Sequence, residues 1–126
     1  MSVTERDLKI LVVEDDQGIA DLISWVLQDA GFHVQTETGI AAARRAVDEC
    51  QPRVVITDLV LPDGLGSEFI NQLKQQPSYE EVASVLISAH PQALAHAKAS
   101  KADAYLPKPF DLDDLNRVVG DLVGVS

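Results

Sequence analysis

Short apolar runs alternate with longer segments of helical periodicity along the whole chain, and this alternation restricts the fold more than any other feature. Five runs have the character of strands: they are apolar and mostly β-branched, except the second, in which apolar and polar residues alternate. They lie near residues 10–13, 32–36, 54–57, 82–87 and 104–106. Each run is followed by a segment with apolar residues at helical spacing, near residues 19–30, 40–50, 66–76, 93–99 and 112–122. The sequence therefore predicts five consecutive βα units without a linker, an internal repeat or a low-complexity segment.

Regular alternation of this kind predicts a parallel sheet with helices on both faces, joined by right-handed crossovers. Five strands suit an open, doubly wound α/β sheet of the flavodoxin-like type better than a barrel, which needs eight strands and about twice the length. The expected strand order is 2-1-3-4-5. Pro107 agrees with this order, because a residue without an N–H group belongs in an edge strand and the fifth strand is an edge.

Composition excludes several classes of function. The 126 residues fit one domain and not two. Twenty acidic residues against ten basic ones give a net charge of −10, and no basic stripe is present for direct nucleic-acid binding. The lone Cys50 cannot form an internal disulfide. No apolar run approaches the ~20 residues of a membrane span and the start at Met1–Asp7 is polar, so the sequence predicts a cytoplasmic protein with no membrane partner.

Polar side chains follow four of the five predicted strands, at the point where each strand ends. Ligands of open α/β sheets bind beyond the carboxyl ends of the strands, so these side chains should surround one crevice. They are, in chain order, Glu14, Asp15 and Asp16, then Asp58, Ser88 and Lys108. Any one of the acids could be a helix N-cap and nothing more, but such residues at four strand ends together indicate a site.

The charges in this crevice indicate what it binds. The carboxylates of Glu14, Asp15 and Asp58, if close together, raise one another's pKa values. Mg²⁺ commonly takes one or two carboxylates and leaves room for a phosphate, and with the Lys108 ammonium it would bring the site to neutrality. Such a site can receive a phosphoryl group, because phosphoryl transfer depends on positioning and charge stabilisation. Asp58 directly follows the central strand and is the candidate nucleophile, since a carboxylate can become an aspartyl phosphate.

Four segments together resemble the receiver domain of two-component response regulators, of the chemotaxis-regulator type. They are ILVVEDD at 10–16, VVITDLVLPDGLG at 54–66, Ser88-Ala89, and YLPKPF at 105–110. Each segment alone is weak evidence for the family, but all four occur at the matching places in the order of the predicted strands. The resemblance implies one receiver domain over residues 1–126, with a core at about 9–122. It also implies a phosphorylation-dependent switch that is not a metabolic enzyme, with a histidine kinase or histidine phosphotransfer protein as donor and a downstream protein as effector.

The resemblance assigns a role to each acid of the crevice. Asp58 would be the phosphoacceptor. Asp15, Asp58 and the backbone carbonyl of Val60 would bind Mg²⁺, for which Mn²⁺ could substitute. Glu14 would act through bound water. Asp16 is either a further acid of the site or only the cap of the first helix.

The resemblance also assigns roles to residues after the fourth and fifth strands. Ser88, Ala89 and Lys108 would contact the phosphoryl oxygens. Tyr105 would rotate between an outward and an inward position as Ser88 moves toward the phosphate. The Lys108–Pro109 peptide bond is expected to be cis.

The segment from 91 to 100 is Ala-rich, and Leu94 is its only large aliphatic residue. A short helix with so little apolar area is weakly anchored, because short helices depend on packing. We therefore expect phosphorylation to shift this fourth helix, the fifth strand and the fifth helix between two arrangements, and the signal to leave through their surface.

Three alternatives remain open on the sequence alone. The chain could be the receiver part of a longer response regulator cut from its output domain. It could be a constitutive protein-binding module, although such chains usually lack one acid of the pair or the lysine. It could be a phosphatase of the haloacid dehalogenase type, but that family needs a second aspartate two residues after the nucleophile, where this chain has Val60.

Overall fold

The computed structural model describes residues 8–124 and contains a five-stranded sheet in the order β2-β1-β3-β4-β5. The strands are β1 (Lys9–Val13), β2 (His33–Glu37), β3 (Val54–Asp58), β4 (Ala83–Ser88) and β5 (Ala104–Pro107). Every pairing in this sheet is parallel. The predicted strand order is confirmed, with Pro107 on an edge strand. The polar start at Met1–Asp7 lies outside the described residues.

Each of the five strands is followed by a helix. The helices are α1 (Gln17–Asp29), α2 (Ile40–Cys50), α3 (Gly66–Lys74), α4 (Ala93–Ala99) and α5 (Leu112–Val123). The third helix ends two residues earlier than its apolar pattern predicts, and a 3-10 turn at Pro77–Tyr79 follows it. Pro77 explains the early end, because the residue before a proline avoids helical backbone angles and Gln76 has φ −86° and ψ 124°.

A short hairpin stands between β3 and α3, and its two strands are absent from the sequence prediction. Val60–Leu61 pairs with Gly64–Leu65 in antiparallel fashion. Pro62 and Asp63 form the turn at its tip, which we call the hairpin tip. Two-residue strands are too short to leave a readable alternation of side chains.

The core lies on both faces of the sheet, because alternate residues of a strand point to opposite faces. Ile10 and Val12 of β1 pack in one cluster with α1 and α5, whereas Leu11 and Val13 pack in another with α2 and α3. Burying each such side chain stabilises the fold by about 1.5–3 kcal/mol. Burial on both faces explains why the central strands are continuous apolar runs in the sequence.

The starts of α1 and α5 are fixed by aspartate caps. The carboxylate of Asp16 accepts a hydrogen bond from the amide of Ile19 at 3.1 Å, so Asp16 is the N-cap of α1. Asp111 is the N-cap of α5, since its carboxylate accepts a hydrogen bond from the amide of Asp113 at 2.8 Å, and half-buried Leu122 packs against the core from that helix. No helix within residues 8–124 is both long enough and apolar enough to span a bilayer.

Candidate functional site

The carboxyl ends of β1, β3 and β5 bring four charged side chains together. The ammonium of Lys108 donates to Glu14 Oε2 at 2.8 Å and to Asp58 Oδ2 at 2.9 Å. One carboxylate oxygen from each of Glu14, Asp15 and Asp58 lies within 4.8 Å of the other two. We call these three acids and Lys108 the acidic site. Asp16, which caps α1, is not part of the group of three acids.

The three acids differ in their exposure to solvent. The side chain of Glu14 is 1% exposed and that of Asp58 is 13% exposed, while that of Asp15 is exposed. Glu14 is held on both oxygens, because Lys108 binds Oε2 and the amide of Asp16 donates to Oε1 at 3.1 Å. Glu14 is therefore a fixed anion at the floor of the site, and Asp15 is the acid that a ligand meets from solvent.

Burial and ion pairing act in opposite directions on the ionisable groups. Burial raises the pKa of Glu14 above its ordinary value, and the hydrogen bonds from Lys108 and from the Asp16 amide only partly oppose this effect. For Lys108, burial alone would lower the pKa, but the hydrogen bonds to Glu14 and Asp58 outweigh it and the pKa is raised. The lysine therefore stays charged between its two carboxylates.

The backbone around Asp58 depends on Gly66, to which the sequence analysis assigned no role in the site. A Cβ atom at residue 66 would lie 2.0 Å from the carbonyl oxygen of Asp58, so no side chain fits there. The amide of Gly66 donates to the carbonyl oxygen of Leu59 at 2.7 Å, and the Thr57 hydroxyl donates to that of Asp58 at 2.9 Å. Within the described residues no hydrogen bond engages Oδ1 of Asp58, whose Oδ2 binds Lys108.

Ser88 lies beside Asp58 because β3 and β4 are adjacent. Asp58 is the register partner of Ile87, so Ser88 is one residue further along the sheet edge. Ser88 is buried, and its hydroxyl oxygen accepts a hydrogen bond from the amide of His90 at 2.9 Å. The hydroxyl of half-buried Tyr105 donates to the carbonyl oxygen of Ser88 at 3.3 Å. Ala89 follows at the exposed rim, and the Lys108–Pro109 bond is cis, as expected.

Asp63 at the hairpin tip is a second residue that sequence reasoning missed. Its carboxylate accepts hydrogen bonds from the amides of Ile40 at 2.7 Å and Ala41 at 3.0 Å, at the start of α2. These bonds to Ala41 and Ile40 hold the pKa of Asp63 below its ordinary value. One signal was present in the sequence: the residue before α2 is Gly39, which has no side chain to cap the helix.

The acidic site fits a Mg²⁺ ion on chemical grounds. Carboxylate oxygens are the ligands that Mg²⁺ prefers, and two oxygens on one ion lie roughly 3–4 Å apart. The mutual spacing within 4.8 Å needs only a small movement of the side chains to reach that range. Three carboxylates and one ammonium leave two negative charges, which one divalent ion neutralises.

Comparisons with known proteins identify the family. Residues 10–120 match the model of the response regulator receiver domain, and the chain belongs to this family. The DNA-binding transcriptional regulator NtrC of Azospirillum brasilense is 34% identical over 113 residues, which are 87% of this chain and 23% of NtrC. The chain spans between 21% and 48% of the length of NtrC and the other curated relatives compared. The predictions of the fold and of a receiver domain of a two-component system are confirmed.

Two solved receiver domains have the same fold. That of NtrX from Brucella abortus is 30% identical, with a TM-score of 0.83 over 93% of this chain and 99% of the other. The receiver domain of the sensor histidine kinase PA1611 from Pseudomonas aeruginosa PAO1 was solved with a magnesium ion coordinated in its active site cleft. It is 22% identical, with a TM-score of 0.85 over 93% of this chain and 98% of the other, and this likeness concerns the fold alone.

Proposed function

We propose that this receiver domain is switched by phosphorylation of Asp58, with a histidine kinase or a histidine phosphotransfer protein as the donor. One observation carries the proposal. Asp58 ends the central strand, 2.9 Å from the Lys108 ammonium, and shares a cluster of oxygens within 4.8 Å with Glu14 and Asp15. A carboxylate held beside a cation and a candidate Mg²⁺ position is suited to accept a phosphoryl group.

The chemistry follows from the atoms of Asp58. One of its carboxylate oxygens attacks the phosphorus of a phosphohistidine. The phosphorus–nitrogen bond breaks, and the imidazole leaves with the bonding pair and takes up a proton. Oδ1 is the oxygen without a hydrogen bond among the described residues, which makes it the better candidate for the attack.

The other residues of the acidic site would bind the metal ion and compensate the charge of the phosphoryl group. Asp15, Asp58 and the carbonyl of Val60 would hold Mg²⁺, or Mn²⁺ in its place, and Glu14 would act through a bound water. When bound, the ion offsets the negative charge that the phosphoryl oxygens add. Lys108 donates to a phosphoryl oxygen and exchanges one of its two carboxylate bonds for this contact.

Ser88 and Tyr105 connect the phosphoryl group to the output surface. The Ser88 hydroxyl, now an acceptor for the amide of His90 at 2.9 Å, turns to donate to a phosphoryl oxygen, while the Ala89 amide contacts another. The hydroxyl oxygen of Tyr105 lies 3.3 Å from the Ser88 carbonyl oxygen, so the Tyr105 side chain moves with Ser88. Movement at Ser88 therefore reaches α4, β5 and α5, where a downstream protein binds.

The domain assists its own phosphorylation and dephosphorylation and turns over no metabolite. Its cytoplasmic location stays a prediction.

Labelling with acetyl phosphate tests the proposed function. In the presence of Mg²⁺ the wild-type chain should take up label, and a chelator or the substitution Asp58→Asn should abolish it. Asp48→Asn is the matched control, because it removes a different exposed carboxylate, on α2, and should label like the wild type. Labelling of Asp58→Asn at the wild-type level would refute the proposal. No labelling of any variant would favour the constitutive binding module, and turnover of phosphomonoesters would favour the phosphatase.

A further inference from the structure

The loop after β3 is tied to α2 at its hairpin tip. Asp63 bonds the first two amides of α2, at 2.7 Å for Ile40 and 3.0 Å for Ala41, across more than twenty residues of sequence. The residue at the N-cap position of α2, Gly39, makes no side-chain cap bond. Asp63 therefore supplies from a distant loop the cap that the helix lacks locally.

Two glycines allow this close approach. A Cβ atom on Gly39 would lie 3.0 Å from Oδ1 of Asp63. A Cβ atom on Gly64 would lie 2.9 Å from Cδ1 of Ile40, and Gly64 has a φ of +147°, which few other residues adopt. Small residues on both sides of the contact indicate a specific junction between the hairpin tip and α2.

The junction connects the two halves of the acidic site. The base of the hairpin carries Val60, two residues after Asp58, and Val60 is paired with Leu65. The start of α2 follows β2, and the carbonyl oxygen of Glu37 at the end of β2 accepts the amide of Glu14 at 2.9 Å. A path of contacts thus leads from Glu14 after β1 to the end of β2, along the chain to the start of α2, and through Asp63 at the hairpin tip back to Asp58.

We propose that Asp63 is a positioning residue for the metal site. By holding the hairpin tip against α2, it sets the distance between the carbonyl of Val60 and the carboxylate of Asp15, and so it sets the affinity for Mg²⁺. Asp63 acts through the hairpin backbone, since it is not among the clustered acids. The identity of the ion rests on the proposed function.

The affinity of the metal-free chain for MgCl₂, measured by NMR titration of backbone amides, tests this role. Asp63→Ala should weaken Mg²⁺ binding roughly tenfold, the scale typical of residues that orient metal ligands. Asp63→Asn retains one acceptor oxygen and should lose less affinity than the alanine variant. In the absence of metal, the amides of Ile40 and Ala41 should exchange with solvent faster in Asp63→Ala than in the wild type.

Asp48→Ala is the control for a purely structural effect. Asp48 lies on the same helix and also makes a long-range bond, to the hydroxyl of Tyr79. Its loss should lower the melting temperature and leave the Mg²⁺ affinity unchanged. Wild-type affinity in both Asp63 variants would overturn the positioning role, even with phosphate labelling of the wild type intact. Absence of Mg²⁺ binding by the wild type itself would instead overturn the proposed function, and the positioning role with it.

Discussion

The negative charges of the acidic site are not all compensated by the lysine to the same extent. Lys108 compensates Glu14 and Asp58 directly, at 2.8 and 2.9 Å, whereas no ion pair within the described residues involves Asp15. The metal-free site thus keeps surplus negative charge at its solvent side. This surplus costs folding free energy, and it also attracts a cation.

Removing the unpaired charge should therefore stabilise the metal-free chain. We expect Asp15→Asn to raise the free energy of unfolding by about 1 kcal/mol, which is the repulsion of unit charges ~4 Å apart in water. The same substitution should weaken Mg²⁺ binding, because it removes a proposed ligand. Urea unfolding in the presence of a chelator measures the first effect, and a Mg²⁺ titration measures the second.

Lys108→Met is the opposing control, since it leaves the buried carboxylate of Glu14 without its cation. It should lower the free energy of unfolding by about 1–3 kcal/mol under the same conditions. Opposite signs for the two variants support charge balance as the organising feature. A loss of stability in Asp15→Asn would argue against it.

Among the elements, α4 is weakly anchored in the way its composition predicts. It is seven residues long, its buried side chains are those of Ala93 and Ala97, and Leu94 is 50% exposed. Its far end is held by the amide of Lys101, which donates to Asn71 of α3 at 2.8 Å. Its near end is joined to Ser88, because the amide of His90 donates to the Ser88 hydroxyl and the amide of Ala93 donates to the carbonyl oxygen of His90. A movement of Ser88 should therefore reach α4 through His90.

Hydrogen exchange with and without a phosphoryl mimic such as beryllofluoride tests whether α4 shifts on phosphorylation. Addition of the mimic with Mg²⁺ should change the protection of amides between residues 88 and 110, because Ser88 leaves the amide of His90 for the new acceptor. Amides of β2, at the edge of the sheet opposite to β5, serve as the internal reference. Identical exchange over 88–110 in both states would contradict a switch through α4.

The cap of α2 gives a pH dependence with a defined sign. Hydrogen bonds from the amides of Ala41 and Ile40 lower the pKa of Asp63 in the folded state. The contribution of Asp63 to the free energy of unfolding is therefore fully present above the unfolded-state pKa. It is lost as the pH falls through the folded-state pKa. Asp63→Ala should therefore melt below the wild type at neutral pH, and the difference should shrink in acid. A difference that is constant with pH would show that the charge of Asp63 is not what caps the helix.

At the scale of the whole molecule, elements that follow from the pattern of burial along the chain could be predicted from the sequence, whereas contacts between segments distant in the sequence could not. The central strands were predictable because both faces of β1 and β3 are buried, and the crevice followed from the shared edge where parallel strands end. Two contacts could not be predicted: the close approach of Gly66 to the Asp58 carbonyl, and the hydrogen bond that Asp63 accepts from the start of α2. Each joins segments whose distance is set only by the folded backbone. For Asp16, both roles were consistent with the sequence; the folded chain shows the cap, because the Asp16 carboxylate accepts from the Ile19 amide, and a further role in the site stays a prediction.

The most direct test of the account is to locate the phosphoryl group. The chain is incubated with acetyl phosphate and Mg²⁺, the acyl phosphate is trapped by borohydride reduction, and the modified residue is identified by peptide mass spectrometry. Modification is expected at Asp58 and should disappear when a chelator removes Mg²⁺. Modification at another residue, or at Asp58 to the same extent without a divalent ion, would contradict it.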